Sequence, residues 1–190
     1  MKVVVIGGVA AGTKVAAKLK RENRAAEVIL FNKGKNISYA GCGLPYYVGS
    51  VIEHKEELIV NTPEKYSNLT GVSVYNEHEV TVVDRANKTV TVVDLSTNET
   101  STHTYDKLVI ATGASPIKPP VEGVDLENVF FMRTPEDAIA LREVVETQEI
   151  KRAVVVGGGF PGQCGIGAAN GNIGPILSSA AVIDGLQCGA

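Results

Sequence analysis

The chain is poor in cysteine. Cys42, Cys164 and Cys188 are the only three in 190 residues. Their odd number and wide separation argue against a disulfide framework, and no two have metal-ligand spacing. The setting this implies is reducing and cytoplasmic. Long hydrophobic runs are also missing. Nothing approaches the ~20 apolar residues of a membrane span, and Met1-Lys2 leads into only four apolar residues before Gly7, too few for a secretory-signal core. Positive charge is not in excess: 18 Lys and Arg face 21 Asp and Glu, a formal charge of −3. A general affinity for nucleic acid is therefore not indicated. The expected partner is a small molecule, with no nucleic acid and no membrane. One shortage is local. Residues 161–190 contain no Lys, Arg or Glu and a single charge, Asp184. The chain is long enough for one good core, or for one domain and part of another.

Against these absences stands a clear opening pattern. Val3 to Ile6 is a β-branched run that reads as a buried parallel strand. Gly7-Gly8-Val9-Ala10-Ala11-Gly12 follows at once, then a helical stretch to about Arg24. Strand, glycine turn and helix in this order form a dinucleotide-binding unit. Gly7 permits the tight turn, Gly12 permits close helix–strand packing, and the amides at the helix start face a pyrophosphate. Val9 stands where the full fingerprint has its second glycine. Glu27 to Phe31 reads as the second strand. Asn32 ends it at the place where an acid normally binds ribose hydroxyls, and it is equally an ordinary turn residue before Lys33-Gly34. Lys14, Lys18 and Arg21 share one face of the first helix. That stripe is either a solvated face or a site for an anionic ligand.

Ser38-Tyr39-Ala40-Gly41-Cys42-Gly43-Leu44-Pro45-Tyr46-Tyr47 is the segment on which a functional reading turns. Two glycines leave the Cys42 sulfur uncrowded, and Leu44 to Val48 reads as a short helix behind it, a placement that favours the thiolate. A small buried residue in a Gly-rich loop is the other reading. Farther on, Thr62 caps a helix that starts with Pro63. Val72 to Tyr105, with Val80, Val82, Val90 and Val92 alternating, reads as an antiparallel meander inserted into the parallel fold. Leu108 to Ala111 is another buried strand running into Thr112-Gly113. Pro116, Pro119 and Pro120 mark a boundary. Thr134 caps a further helix whose apolar stripe is Ala138, Leu141 and Val145. Ala153 to Val156 then leads into Gly157-Gly158-Gly159-Phe160-Pro161-Gly162, a second and complete glycine turn. The amphipathic helix that should follow is not there, because Gly165, Gly167, Gly171 and Gly174 disfavour it.

Together these segments resemble the single-cysteine branch of the pyridine nucleotide–disulfide oxidoreductases, the branch that includes coenzyme A disulfide reductases, from Lys2 to about Gly162. The most specific element is Ser38 to Tyr47. It is supported by Val3 to Gly12, Tyr105 to Gly113, and Ala153 to Gly159. The resemblance implies a Rossmann-like α/β fold with a parallel sheet, an inserted β-meander and a truncated second nucleotide-binding unit. It implies FAD at the first glycine turn, NADH or NADPH at the second, and a redox-active Cys42 beside the flavin. It assigns FAD contacts to Gly7, Gly8, Val9, Ala10, Ala11, Gly12, Asn32, Lys33, Val80, Thr112, Gly113 and Arg133. Nucleotide contacts fall to Gly157, Gly159 and Gly162. Contacts to the coenzyme A part of a disulfide substrate fall to Lys14, Lys18, Arg21, Ser38 and Gly41.

On this reading residues 1–116 are the first part of an FAD-binding domain, 117–162 a linker and the start of an NAD(P)-binding domain, and 163–190 an atypical Gly-rich tail. Three positions depart from the branch: Asn32 for the usual Glu, Gly41 for the usual Asn, and Pro161 for an apolar residue. Family members are homodimers, and the dimerisation domain has no counterpart in this sequence. Two other readings stand: an NADH oxidase or peroxidase, in which Cys42 cycles through a sulfenic acid, and a non-catalytic nucleotide-binding fragment.

Overall fold

The computed structural model describes residues 1–148, 150, 152–156 and 180–184. Its elements fall into two compact units that are discontinuous in sequence. The first comprises 1–39 and 59–113, the second 40–58 and 114–190.

The first unit is built on a four-stranded parallel sheet. β1 (Lys2–Ile6) is central and pairs in parallel with β2 (Glu27–Asn32) and with β7 (Lys107–Ile110). β3 (Ser73–Asn76) pairs in parallel with β2, giving the order β3-β2-β1-β7. Such a sheet needs apolar cover on both faces. On one face, Val3, Val5, Val28, Leu30 and Val72 pack with Ala16 of α1 (Ala10–Glu22) and Tyr66 of α3 (Pro63–Thr70). The Tyr66 hydroxyl donates to the Thr13 carbonyl and ties the two helices together. On the other face, Val4, Ile29 and Phe31 meet Val90 and Val92. These valines come from a separate antiparallel sheet of β4 (His78–Asp84), β5 (Thr89–Asp94) and β6 (Thr100–Thr104). The meander thus serves as the second lid of the parallel sheet.

Two details differ from the sequence reading. The meander begins at β4, because the segment before it joins the parallel sheet: Val72 is buried and Val74 packs against the same core. The valine alternation also breaks. A register shift between Val80 and Val82 sends Val82 to the surface and brings Val83 inward.

In the second unit, a 3-10 turn over Gly41–Gly43 runs into α2 (Leu44–Val48), which packs against α4 (Pro135–Thr147). α4 starts as read. The Thr134 hydroxyl accepts from the Asp137 amide, and the Asp137 carboxylate accepts from the Thr134 amide, a reciprocal cap. Ala138 and Leu141 are buried. β9 (Arg152–Val156) pairs antiparallel with β10 (Ala180–Asp184), which also pairs with β8 (Val129–Phe130). The sequence reading gave residues 163–190 no element. β10 is a correction to that, and it supplies β9 with a neighbour.

Among the described residues no helix is long and apolar enough to cross a membrane, and no cluster of His, Cys, Asp and Glu could hold a metal.

Candidate functional site

The glycine turn sits at the carboxyl end of β1. The Gly7 amide donates to the Phe31 carbonyl at 2.8 Å, and the Ala111 amide donates to the Ile6 carbonyl at 2.8 Å, so β1 ends locked between both neighbours. Gly7 has φ +101°, and a Cβ on it would overlap the Ala111 carbonyl. A Cβ on Gly12 would overlap the Gly7 carbonyl. The helix can start this close to the strand only with glycine at both places. α1 begins with no side-chain cap and no acid in its first turn. Its exposed Ala10 and Ala11 therefore present free amides at the positive end of the helix, which suits an anion. By this test the loop fits the pyrophosphate of a dinucleotide.

Asn32 is turned inward. It is only 6% exposed. Its Oδ1 accepts from the Gly8 amide at 2.9 Å, and its Nδ2 donates to the carbonyls of Gly34 at 2.7 Å and Asn36 at 3.1 Å. The amide is turned to the protein's own backbone and fixes Gly8 against the 34–36 turn. A glutamate has no donor for those two carbonyls. Lys33 is exposed and pairs with Glu79 at 2.9 Å. Val80 packs against the core beneath the meander. Thr112 and Gly113 are exposed, and Gly113 has φ +70°.

Ser38 is held in a left-handed conformation, φ +49°. Its amide donates to the Gly8 carbonyl at 2.8 Å, its carbonyl accepts from the Val60 amide at 3.1 Å, and its hydroxyl accepts from Asn61 at 3.3 Å. Such a backbone costs of order 1–3 kcal/mol and persists where its surroundings over-determine it.

The basic stripe divides. Lys18 forms an ion pair with Glu22 at 2.8 Å, whereas Lys14 and Arg21 are exposed with no carboxylate beside them among the described residues. Arg21 also opens onto a cleft of about 510 Å³ lined by Ala17, Lys20, Arg24, Leu69 and Thr70. Sequence reasoning missed Arg24 and Leu69. Arg24 lies three residues beyond Arg21, and Leu69 comes from α3, so only the packing of the two helices brings them together.

Cys42 occupies the middle of the 3-10 turn and is exposed, with its sulfur unpaired. Gly41 is exposed as well. Gly43 is buried and closes the turn by donating to the Ala40 carbonyl at 2.8 Å. The buried residues behind it are Leu44, Pro45, Tyr47 and Val48 of α2. In the same unit Arg133 donates from Nε to the Ala114 carbonyl at 2.9 Å. Gly157, Gly159 and Gly162, like Cys164 and Cys188, lie outside the described residues.

The family model described as pyridine nucleotide-disulphide oxidoreductase matches residues 1–168. The chain belongs to this family. Its members are flavoproteins that bind FAD and NAD(P)H. Over 162 residues the chain is 40% identical to an NADH oxidase of Enterococcus faecalis, covering 85% of this chain and 36% of that protein. Over 159 residues it is 33% identical to a coenzyme A disulfide reductase of Staphylococcus haemolyticus, covering 84% of this chain and 36% of the other. Its fold matches the crystal structure of reduced Bacillus anthracis CoADR-RHD with a TM-score of 0.84 and 37% identity, over 87% of this chain and 30% of that one. The chain therefore spans little more than a third, 36%, of these curated relatives. The Rossmann-type α/β fold and the family expected from the sequence are both borne out.

Proposed function

We propose that this chain is part of an FAD-dependent NAD(P)H:disulfide oxidoreductase acting on coenzyme A disulfide, with Cys42 as its redox thiol. The observation that carries this reading is an exposed, unpaired cysteine on a glycine-flanked turn at the start of α2, in a chain of a disulfide-oxidoreductase family. FAD, when bound, would supply two electrons from NADH or NADPH to the mixed disulfide that Cys42 forms with coenzyme A, which would release the second coenzyme A as a thiolate and restore the Cys42 thiolate. The protein's own part begins with the amides of Ala10, Ala11 and Gly12, which hold the cofactor's pyrophosphate. Lys14 and Arg21, with the Arg24 side of the cleft, attract the phosphates of the substrate, and exposed Leu69 offers an apolar face to its adenosine. The Cys42 thiolate attacks one sulfur of the disulfide. A bond forms from Sγ to that sulfur, the substrate S–S bond breaks, and one coenzyme A leaves as a thiolate that takes its proton from water.

A second reading, NADH oxidase, has the 40% identity with the Enterococcus faecalis enzyme in its favour. In that reading Cys42 is oxidised by a peroxide to a sulfenic acid. Ala10 is the residue against it, since that branch usually carries a histidine in the first glycine loop.

Peptide mass spectrometry of the folded chain separates the two readings. After incubation with coenzyme A disulfide, a coenzyme A adduct is expected on Cys42, faster than on Cys164 or Cys188. Equal labelling of the three cysteines would sink the proposal. A dimedone adduct on Cys42 after peroxide, with no coenzyme A adduct, would shift it to the oxidase.

A further inference from the structure

α4 contains one basic residue, Arg142, and it is only 14% exposed. A single nitrogen, Nη1, donates to three carbonyls: Tyr47 at 3.1 Å, Ile52 at 2.9 Å and Glu53 at 3.1 Å. The guanidinium lies 4.5 Å from the centroid of the Tyr47 ring, and Nε donates to Glu146 at 2.6 Å. These carbonyls come from the end of α2 and from the turn that doubles back after it. In that turn the amides of Val51 and Ile52 both donate to the Tyr46 carbonyl. Three carbonyl oxygens converging on one point concentrate partial negative charge, and a cation is what holds such a turn closed. The turn in its turn supports Cys42. A Cβ on Gly43 would stand 3.2 Å from Cδ1 of Ile52, so the Gly43 backbone rests on that methyl group. Gly43 closes the turn whose middle residue is Cys42.

We infer that Arg142 is a positioning residue for the Cys42 sulfur, acting through Ile52 and Gly43. The inference rests on Cys42 being the redox thiol. Arg142 does not touch the sulfur; it fixes the turn on which the sulfur is carried. The role differs from that of an ordinary helix anchor in what it controls. A small alkylating agent meets an exposed sulfur from any side. Coenzyme A disulfide is bulky and must present its S–S bond to the thiolate along one line, so its reaction is sensitive to where the sulfur sits.

The experiment compares two rates at Cys42 in the full chain, read on the Cys42 peptide: alkylation by iodoacetamide and mixed-disulfide formation with coenzyme A disulfide. Arg142→Met should slow the second by about five- to tenfold, since a small misplacement of reacting atoms is costly, and should change the first by less than about twofold. Arg142→Lys keeps the positive charge and places three N–H donors on one nitrogen, where Nη1 has two, but loses the stacking on Tyr47, so it should recover part of the loss. Ile52→Val removes only the methyl beneath Gly43 and should lower the second rate in the same sense, with a fold that is not in question. An Arg142→Met chain with protected α4 amides and an unchanged ratio of the two rates overturns the inference. So does a loss in Arg142→Met that Ile52→Val does not share. If Arg142→Met fails to fold, the Ile52→Val ratio decides alone. A wild-type Cys42 that reacts with coenzyme A disulfide no faster than in denaturant overturns the proposed function itself, whatever Arg142 does.

Discussion

The backbone amide of Gly8 donates to Oδ1 of Asn32, 2.9 Å away and buried. This bond joins the glycine turn after β1 to the end of β2, and the two donors of the same side chain bind the turn beyond it. Replacing Asn32 by Ala leaves an amide and two carbonyls without their partner. The bond to the Gly8 amide is buried and the two to the carbonyls are half-buried; a buried loss of this kind costs about 1–3 kcal/mol, so the chain should lose about 2 kcal/mol in urea unfolding. Asn32→Asp keeps the acceptor but loses both donors and buries a carboxylate. It should be no more stable than the Ala variant.

The two glycines that bring α1 against β1 should be far less tolerant than a glycine in the following turn. Gly12→Ala places its methyl on the Gly7 carbonyl oxygen, a backbone atom that cannot move aside. Overpacking of this severity costs ~3 kcal/mol or more. Gly34→Ala meets nothing closer than 3.6 Å, and it should stay within ~0.5 kcal/mol of wild type. Thermal melts of the two variants, read side by side, test the contrast.

Acid should weaken the contact between the meander and the parallel sheet. The His103 ring lies 4.9 Å from the Phe31 ring. Burial holds its pKa below the ordinary 6.5, and the positive charges of Lys2 and His78 push the same way. The unfolded chain therefore takes up a proton near pH 6.5 that the folded chain refuses. The stability is fully present above that pH and is lost as pH falls through the lower folded value. Asp84 and Asp94, held below 3.8 chiefly by hydrogen bonds from Asn87 and Ser96 respectively, contribute only in stronger acid. Denaturation midpoints taken from pH 7.5 to 5 should decline, and His103→Phe should flatten the decline. An identical slope in the variant would remove His103 as the cause.

Within the basic stripe, Lys14 and Arg21 should matter more than Lys18. Replacing either of the first two by Ala should slow mixed-disulfide formation between Cys42 and coenzyme A disulfide, about two- to fivefold at low salt. The effect should shrink as salt shortens the screening length. Lys18→Ala should have less effect, because that ammonium is already paired with Glu22. Equal effects from all three would mean that the ion pair opens readily and the stripe acts as a diffuse field.

Much of the fold could be read from short-range pattern. The β-branched run at Val3 to Ile6, the Thr62-Pro63 and Thr134-Pro135 helix starts, and the strand at Leu108 all stand within a residue or so of their observed places. These are local events, decided by propensity and capping. What could not be read is what depends on distant partners. Ser73–Asn76 resembles the meander strands that follow it, and only its pairing with β2 sends it to the parallel sheet. The inward turn of Asn32 needs the carbonyls of Gly34 and Asn36 to be folded back toward it. Arg142 looks like any surface arginine of an amphipathic helix until α2 is laid against α4. At the candidate site Cys42 and the glycine turn stand out in the sequence by their local pattern, whereas the cleft beside Arg21 required two helices to meet.

The segment that carries Cys42 departs and returns through adjacent positions. Tyr39 and Ile59 pair as an antiparallel bridge, and the Ala40 amide donates to the Leu58 carbonyl at 2.8 Å. A loop pinched shut at its own base places little demand on what lies inside it. Even doubling its length would raise the closure cost by only about 0.6 kcal/mol. The closing of this loop is therefore set by the pairing at its base and hardly by its length. Chains that differ in length between Tyr39 and Ile59 can thus share one closing pair, at little entropic cost to either.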